Sequence, residues 1–522
     1  MTQPTMNGAQ ALIETLTKGG VELCLANPGT SEMHLVQALD QTPQMRSVLT
    51  LFEGVCTGAA DGYGRMTGKP AATLLHLGPG LANGIANLHN ARKAGTPLLN
   101  IVGNHPQYHM GYDAPLTSDI DTLARNFSAW TKSCSTAETL AYDGAEALSA
   151  CLRANPGSLG QISTLIMGAD AAWGDALGPV TPNPIPNRAK VKPIHIDTVA
   201  SLLAKGEKAV LLLERDALRP AALEAAARIR QKTGCRLITG TFPARIDGGP
   251  GAVQVERMPY FPEQILASLE GTRHLVLVGA QAPASFFAYQ NLSGRPIPAD
   301  CQTVTLARIE EDAVDALLQL VDALDATHMQ GQHFEKQVHK YASGPLNTRS
   351  ISQVIAACLP EGAIVSTDSG GGNAAYPACQ FAAPHSWLSL TGGSIGQGGP
   401  AATGAALACP DRPVLALLGD GGAAYTIQCL WTQARENLNV TTVIYANRSY
   451  NILNVEYARL GVTDVGSTAA SLFDIGNPEI DWIAMAKAMG VPGAIAKTTD
   501  ELEQLLVRSF VEPGPFLIQA QC

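Results

Sequence analysis

The chain has 522 residues, a formal net charge of −10 at neutral pH, 46% hydrophobic and 15% charged residues, and 51 glycines. That length predicts about three domains rather than one, and the apolar, weakly charged composition excludes a disordered chain. Acidity without a basic stripe excludes nucleic acid as a partner.

The opening MTQPTMNGAQALIETL carries no basic run ahead of an apolar segment. Nowhere do ~18 apolar residues run together, so neither export nor a membrane span is expected and cytoplasm is the default. An amphipathic helix is predicted from Gly8 to Lys18, a strand from Leu23 to Ala26, a turn at Pro28 and Gly29, and strands from Ala72 to His76 and Leu98 to Val102. Apolar β runs separated by helices imply parallel sheets covered on both faces. The aperiodic GPVTPNPIPNRAKVKP, Gly178 to Pro193, reads as a linker. Strands follow at Ala209 to Leu213, Arg236 to Ile238 and His274 to Val278, with a helix at Pro220 to Thr233 and a turn at Gly279. Beyond the polar stretch from Thr327 to Asn347, a helix is predicted from Ser350 to Cys358, and strands at Ala363 to Ser366, Val414 to Leu418 and Thr442 to Ala446. The expected fold is α/β, with three doubly wound parallel-sheet domains at residues 1–177, 194–326 and 348–522. Eleven cysteines form no CxxC pair, which argues against a zinc site or a disulfide framework.

Gly419-Asp420-Gly421 directly follows the apolar run VLALL, and Asn447 directly follows TTVIYA. Both then sit at the carboxyl ends of strands, where open α/β sheets bind ligands. A carboxylate and an amide oxygen side by side suit a hard cation such as Mg²⁺. The flanking glycines admit phosphate oxygens, and a helix starting near Ala424 would aim its N-terminus at the anion. An isolated GDG could equally be a plain strand-to-helix turn.

The segment GDGGAAYTIQCLWTQARENLNVTTVIYANRSYNIL resembles the thiamine-diphosphate motif of the pyruvate decarboxylase and acetolactate synthase superfamily. The resemblance implies that Asp420, Asn447 and the main-chain carbonyl of Ser449 hold the metal, with Gly419, Gly421, Gly422, Ala423 and Tyr450 around the cofactor. Upstream, TGGSIGQGGPAATGAAL resembles the loop that places a bulky apolar residue, here Ile395, beneath the cofactor beside Gly393. Ser369 and Gly370, in STDSGGGN, match a further diphosphate contact.

At the other end of the chain, LTLFEG ends a β-type run in the lone acid Glu53, followed by the small-residue helix GVCTGAADGYGRMTG. The stretch from Ala26 to Pro106, with NPGTSE and HLGPGLANGIANLHNA, resembles the pyrimidine-binding domain of the same superfamily. That resemblance makes Glu53 the residue that hydrogen-bonds the aminopyrimidine and thereby activates the cofactor. It also makes His76 and Thr30 substrate-facing, as in benzoylformate decarboxylase; His105 and His109 could point into the same cleft.

Other features depart from particular members. The His-His pair of pyruvate decarboxylase is absent, and Glu456 stands where benzoylformate decarboxylase has an aromatic residue, which disfavours a phenyl substrate. The arginine-rich middle motif of acetolactate synthase is missing, which argues against FAD. The chain ends with PFLIQAQC, and the resemblance to members with a long tail does not extend beyond it. The expectation is a thiamine-diphosphate and Mg²⁺-dependent 2-oxo acid decarboxylase or carboligase, acting as a homodimer or homotetramer. The alternatives are a 2-hydroxyacyl-CoA or oxalyl-CoA lyase, or a silent cofactor-binding paralogue.

Overall fold

Strands buried along their whole length cannot face water on either side, so they require helices above and below. The computed structural model describes residues 6–153, 161–185, 187–462 and 464–522, and it satisfies that requirement three times. The first sheet contains β1 (Leu23–Asn27), β2 (Arg46–Leu49), β3 (Ala71–Leu75), β4 (Pro97–Asn104), β5 (Trp130–Cys134) and β6 (Gln161–Gly168). Its order is β2-β1-β3-β4-β6-β5 and its pairings are parallel. The central segment contributes β7 (Ala209–Leu213), β8 (Arg236–Thr239), the short β9 (Ile246–Gly248), β10 (Glu256–Arg257), β11 (His274–Val278) and β12 (Gln302–Ala307). Five of these form a sheet in the order β10-β8-β7-β11-β12. In the last segment β13 (Ala363–Thr367), β14 (His385–Leu388), β15 (Val414–Gly419), β16 (Val440–Ala446), β17 (Gly493–Ala496) and β18 (Phe516–Gln521) run in the order β17-β18-β16-β15-β13-β14.

The expected helices at Gly8–Lys18 and Pro220–Thr233 and the strands at Ala209–Leu213 and His274–Val278 have the expected ends. Three boundaries at candidate site residues differ, the first being that β3 ends at Leu75 and leaves His76 outside the strand. β2 stops at Leu49, so Glu53 does not end a strand but opens the helix Glu53–Thr67 after an extended Phe52. The helix after β15 starts at Asp420 itself, not near Ala424, and ends at Tyr425.

The described residues up to Ile185 and from Gln337 onward form one compact unit, and the central residues form another. In the first unit a single core runs through both sheets, joining Leu25, Cys56 and Leu88 to Ile364, Leu418 and Leu517. Two helices make that continuity possible. Along Glu53–Thr67 all residues but Thr67 are buried, and the helix packs on Gly398–Ala408 at backbone distance. A Cβ on Gly62 would lie 2.1 Å from the Ala401 carbonyl oxygen, and one on Gly404 would lie 1.8 Å from that of Ala59. The contact therefore requires glycine at both places.

Beside it lies a buried ion pair, Arg65 with Asp61, whose side chains are 1% and 0% exposed. Such a pair is tolerated only when its remaining hydrogen-bonding capacity is used. Arg65 donates to the Ser389 carbonyl and the Thr391 hydroxyl, while Asp61 accepts from Thr96 and Gln397. First-sheet and third-sheet segments are thus cross-linked by the hydrogen bonds of this pair as well as by packing.

Candidate active site

Parallel pairing of β15 with β16 sets Gly419 against Tyr445, so Asp420 and Asn447 leave the sheet at nearly the same level. Asp420 is 4% exposed. Its Oδ1 accepts the Gly421 N–H at 2.8 Å and its Oδ2 the Arg448 N–H at 2.6 Å. Burial raises its pKa, and those two N–H groups oppose the rise. Among the described residues no cationic side chain forms an ion pair with Asp420, so the buried carboxylate has charge to offer to an incoming cation.

Asn447 is exposed, and its Oδ1 accepts the Ser449 N–H at 3.1 Å. Arg448, between them, adopts φ +56°, a conformation that non-glycine residues hold only under constraint. The chain thus reverses tightly here, and Ser449 bridges to Asp474. One carboxylate, one amide oxygen and a main-chain carbonyl fit Mg²⁺.

Around this point Gly421 gives way to Tyr450, whose ring a Cβ would meet at 2.3 Å. Burial, first, and then the neighbouring Tyr425 raise the pKa of the Tyr450 hydroxyl. Ser369 caps the helix Gly370–Cys379 through the Gly372 N–H, and no atom lies within 4 Å of a Cβ built on Gly370. That open, capped helix start is suited to an anion. Gly419 faces Ser369, and Gly422 and Ala423 are buried in the short helix that Asp420 opens. Ile395 is half-buried in a loop bracketed by Gly393 at φ +77° and Gly396 at φ +91°.

Asp368 belongs here too, although it was not anticipated. It is buried, its Oδ2 accepts the Gly396 and Gly398 N–H groups at 3.0 Å each, and its Oδ1 has no partner. Burial pushes its pKa up to about 6. A Cβ on Gly422 would meet Oδ1 at 3.2 Å. Asp368 therefore stands behind both the Ile395 loop and the Asp420 loop. Only its position before the capping Ser369 could have drawn attention to it.

Glu53 is 6% exposed, and both its oxygens are occupied: Asn27 Nδ2 donates to Oε1 and Asn83 Nδ2 to Oε2, each at 3.0 Å. On the helix Leu77–Ala94, Asn83, Asn87 and Asn90 follow at i, i+4 and i+7 and share a face. Asn87 donates to the carbonyls of Gly54 and, at 3.4 Å, Gly396, while Asn90 binds both backbone groups of Ser394. The Ile395 loop is thereby tied to the Glu53 region of the same chain.

His76 occupies the position before that helix without capping it through its side chain, next to Leu77 at φ +50°. Its Nδ1 lies 2.7 Å from Oε2 of the fully buried Glu32 and 3.3 Å from Ser31 Oγ. Gly29 is bare because a Cβ would strike the imidazole at 2.2 Å. Thr30 is exposed and opens the turn Thr30–Glu32. The rings of His105 and His109 are 5.1 Å apart, and burial, then His109 and His76, lower the pKa of His105. His105 therefore lies near enough to both His109 and His76 to feel their charge. Glu456 is 3.9 Å from Arg459, and is therefore an acid beside a base.

Comparison with known proteins shows the family. The family described as thiamine pyrophosphate enzyme, N-terminal TPP binding domain, matches residues 6–125, and its C-terminal TPP binding domain matches residues 370–520. The chain is 49% identical over 515 residues to the Mycobacterium tuberculosis protein named "Putative acetolactate synthase large subunit IlvX", covering 98% of each. It is 26% identical to benzoylformate decarboxylase of Pseudomonas aeruginosa, over 98% of this chain and 97% of that one. Its fold superposes on 4-hydroxybenzoylformate decarboxylase of Rhodococcus jostii with a TM-score of 0.82 at 21% identity, covering 99% of both chains.

Proposed function

Since the chain belongs to the thiamine pyrophosphate enzyme family, we propose that it breaks or makes the carbon–carbon bond beside the carbonyl of a 2-oxo acid, using thiamine diphosphate and Mg²⁺. The observation that carries this reading is a buried Asp420 that, among the described residues, forms no ion pair and lies level with Asn447, together with a Glu53 that is 6% exposed and held by two asparagine amides. When bound, thiamine diphosphate supplies the electron sink that the reaction needs.

In this reading Asp420, Asn447 and the Ser449 carbonyl hold the metal. Ser369, Gly370, Gly419, Gly421, Gly422 and Ala423 admit the diphosphate to bare backbone, and Tyr450 closes the side. Ile395, beside Gly393, would offer the cofactor an apolar contact. Glu53 holds and returns the proton on the pyrimidine nitrogen. His76, oriented through Nδ1 by Glu32, presents Nε2 to the substrate, and Thr30 meets the substrate carboxylate. Glu456 beside Arg459 supports a polar substrate rather than a phenyl-bearing one.

The test is a panel of aliphatic, polar and aromatic 2-oxo acids, assayed for carbon dioxide release and for ligated product with thiamine diphosphate and Mg²⁺ present. Turnover confined to non-aromatic acids is expected. Cofactor binding without turnover of any 2-oxo acid, alone or with an aldehyde acceptor, would refute the proposal.

A further inference from the structure

We infer that Asn27 and Asn83 form a carboxamide clamp that fixes the plane of the Glu53 carboxylate for proton transfer; the inference rests on reading Glu53 as the group that handles the cofactor's proton. The two donors come from unconnected elements, the end of β1 and the helix Leu77–Ala94, and each takes a different oxygen at 3.0 Å. An ionised carboxylate has only acceptors, so both amides must turn their nitrogens toward it. Each carboxylate oxygen has two lone pairs. The clamp uses one on each and leaves one on each for a ring nitrogen.

The nature of the donors matters as much as their placement. Among the described residues no lysine, arginine or histidine forms an ion pair with Glu53. A cation there would hold the charge on the carboxylate, whereas neutral amides orient the group and leave its charge free to answer a proton. Asparagine is also a poor residue for a helix interior, because its side chain competes for backbone hydrogen bonds. Asn83 spends that side chain on Glu53 instead. Asn27 and Asn83 are accordingly positioning residues, acting on the cofactor through Glu53.

The experiment uses the full-length protein with Asn27→Ala, Asn83→Ala, Asn83→Asp and Asn27→Ser. Exchange of the thiazolium proton of bound cofactor, read by NMR after acid quench, should slow by about tenfold or more in the first three, with Asn27→Ser recovering part of the loss because it keeps a donor. Calorimetric affinity for thiamine diphosphate with Mg²⁺ should stay within about threefold. A merely structural role would do the reverse, weakening affinity while leaving exchange in the bound state unchanged, and that result overturns the clamp.

The apoprotein gives a second readout. In a double-mutant cycle on melting temperature, Asn83→Ala should cost nothing further once Glu53→Ala is present, and additive losses would overturn the proposal. Glu53→Gln separates the two levels. Slow exchange in Glu53→Gln with normal exchange in the asparagine variants refutes the clamp alone; normal exchange in Glu53→Gln refutes the reading beneath it.

Discussion

Replacing Gly62 with alanine should be far more damaging than one added methyl suggests. The new Cβ would sit 2.1 Å from the Ala401 carbonyl oxygen and 2.7 Å from its carbon, both backbone atoms in the facing helix. An ordinary carbon–oxygen contact is about 3.4 Å, so the helices Glu53–Thr67 and Gly398–Ala408 must part by roughly 1.3 Å. A gap of that size forfeits about half of the dispersion energy along the contact. Overpacking of this kind costs about 1–3 kcal/mol or more, and the gain in helix propensity returns only ~1 kcal/mol. Because the clash is with backbone that cannot rotate away, the upper end applies, and a net loss of about 2 kcal/mol or more is expected.

Gly68→Ala is the control, because its φ is +70° and nothing lies within 4 Å of the new Cβ. It should lose only the ~1–2 kcal/mol of a left-handed alanine. Urea unfolding of the apoprotein would compare the two. Glu53 opens the helix that must move, so Gly62→Ala should also weaken cofactor binding by about tenfold, as measured by calorimetry. Equal stability of Gly62→Ala and Gly68→Ala would show that the helices are not in backbone contact.

Glu53→Gln should retain cofactor affinity within a few-fold but slow thiazolium proton exchange by about 10²–10⁴; an unchanged rate excludes the activator role. Asp420→Ala should abolish retention of thiamine diphosphate and Mg²⁺ through gel filtration, because the anion loses its metal bridge, and wild-type calorimetric affinity would exclude this metal site. Asp368 has a folded pKa of about 6 against an ordinary 3.8, so its buried carboxyl favours the fold below about pH 4 and that contribution is lost as pH rises through about 6. Asp368→Asn, which keeps an acceptor for Gly396 and Gly398, should therefore flatten apoprotein stability between about pH 4 and 6 and raise it above that window by up to about 3 kcal/mol; an unaltered pH slope in urea titrations would refute this. If sites are shared between copies, mixing Glu53→Gln with Asp420→Ala subunits should restore roughly a quarter of wild-type activity, and no recovery despite proven exchange would mean that each site lies within one chain.

How legible the site was depended on the range of the interactions that build it. Asp420 and Asn447 could be paired in advance because each follows a continuous apolar run, and neighbouring parallel strands bring such ends together. Glu53 stands out in the sequence as a lone acid, but its setting does not: Leu51 and Phe52 prolong the apolar end of β2 while forming the turn into a helix, and composition alone does not separate the two. His76 was placed at a strand end and proved to be the residue before the next helix. Asp368 was hidden because its partners, Gly396 and Gly398, lie some thirty residues away and contribute only backbone N–H groups. Asn83, Asn87 and Asn90 did leave a trace in LANGIANLHNA, since three asparagines on one helical face are costly unless their amides are used. Nothing in the local pattern named their partners.

The close seam between Glu53–Thr67 and Gly398–Ala408 also sets a schedule for synthesis. The two helices are about 330 residues apart in the chain, and translation adds ~5–20 residues per second. The nascent first sheet therefore waits roughly 15–70 s with the small-residue face of its central helix uncovered. A chain that stalls or is cut in the central segment leaves that face, with its bare glycines and the Asp61–Arg65 pair, open to solvent and to other nascent chains.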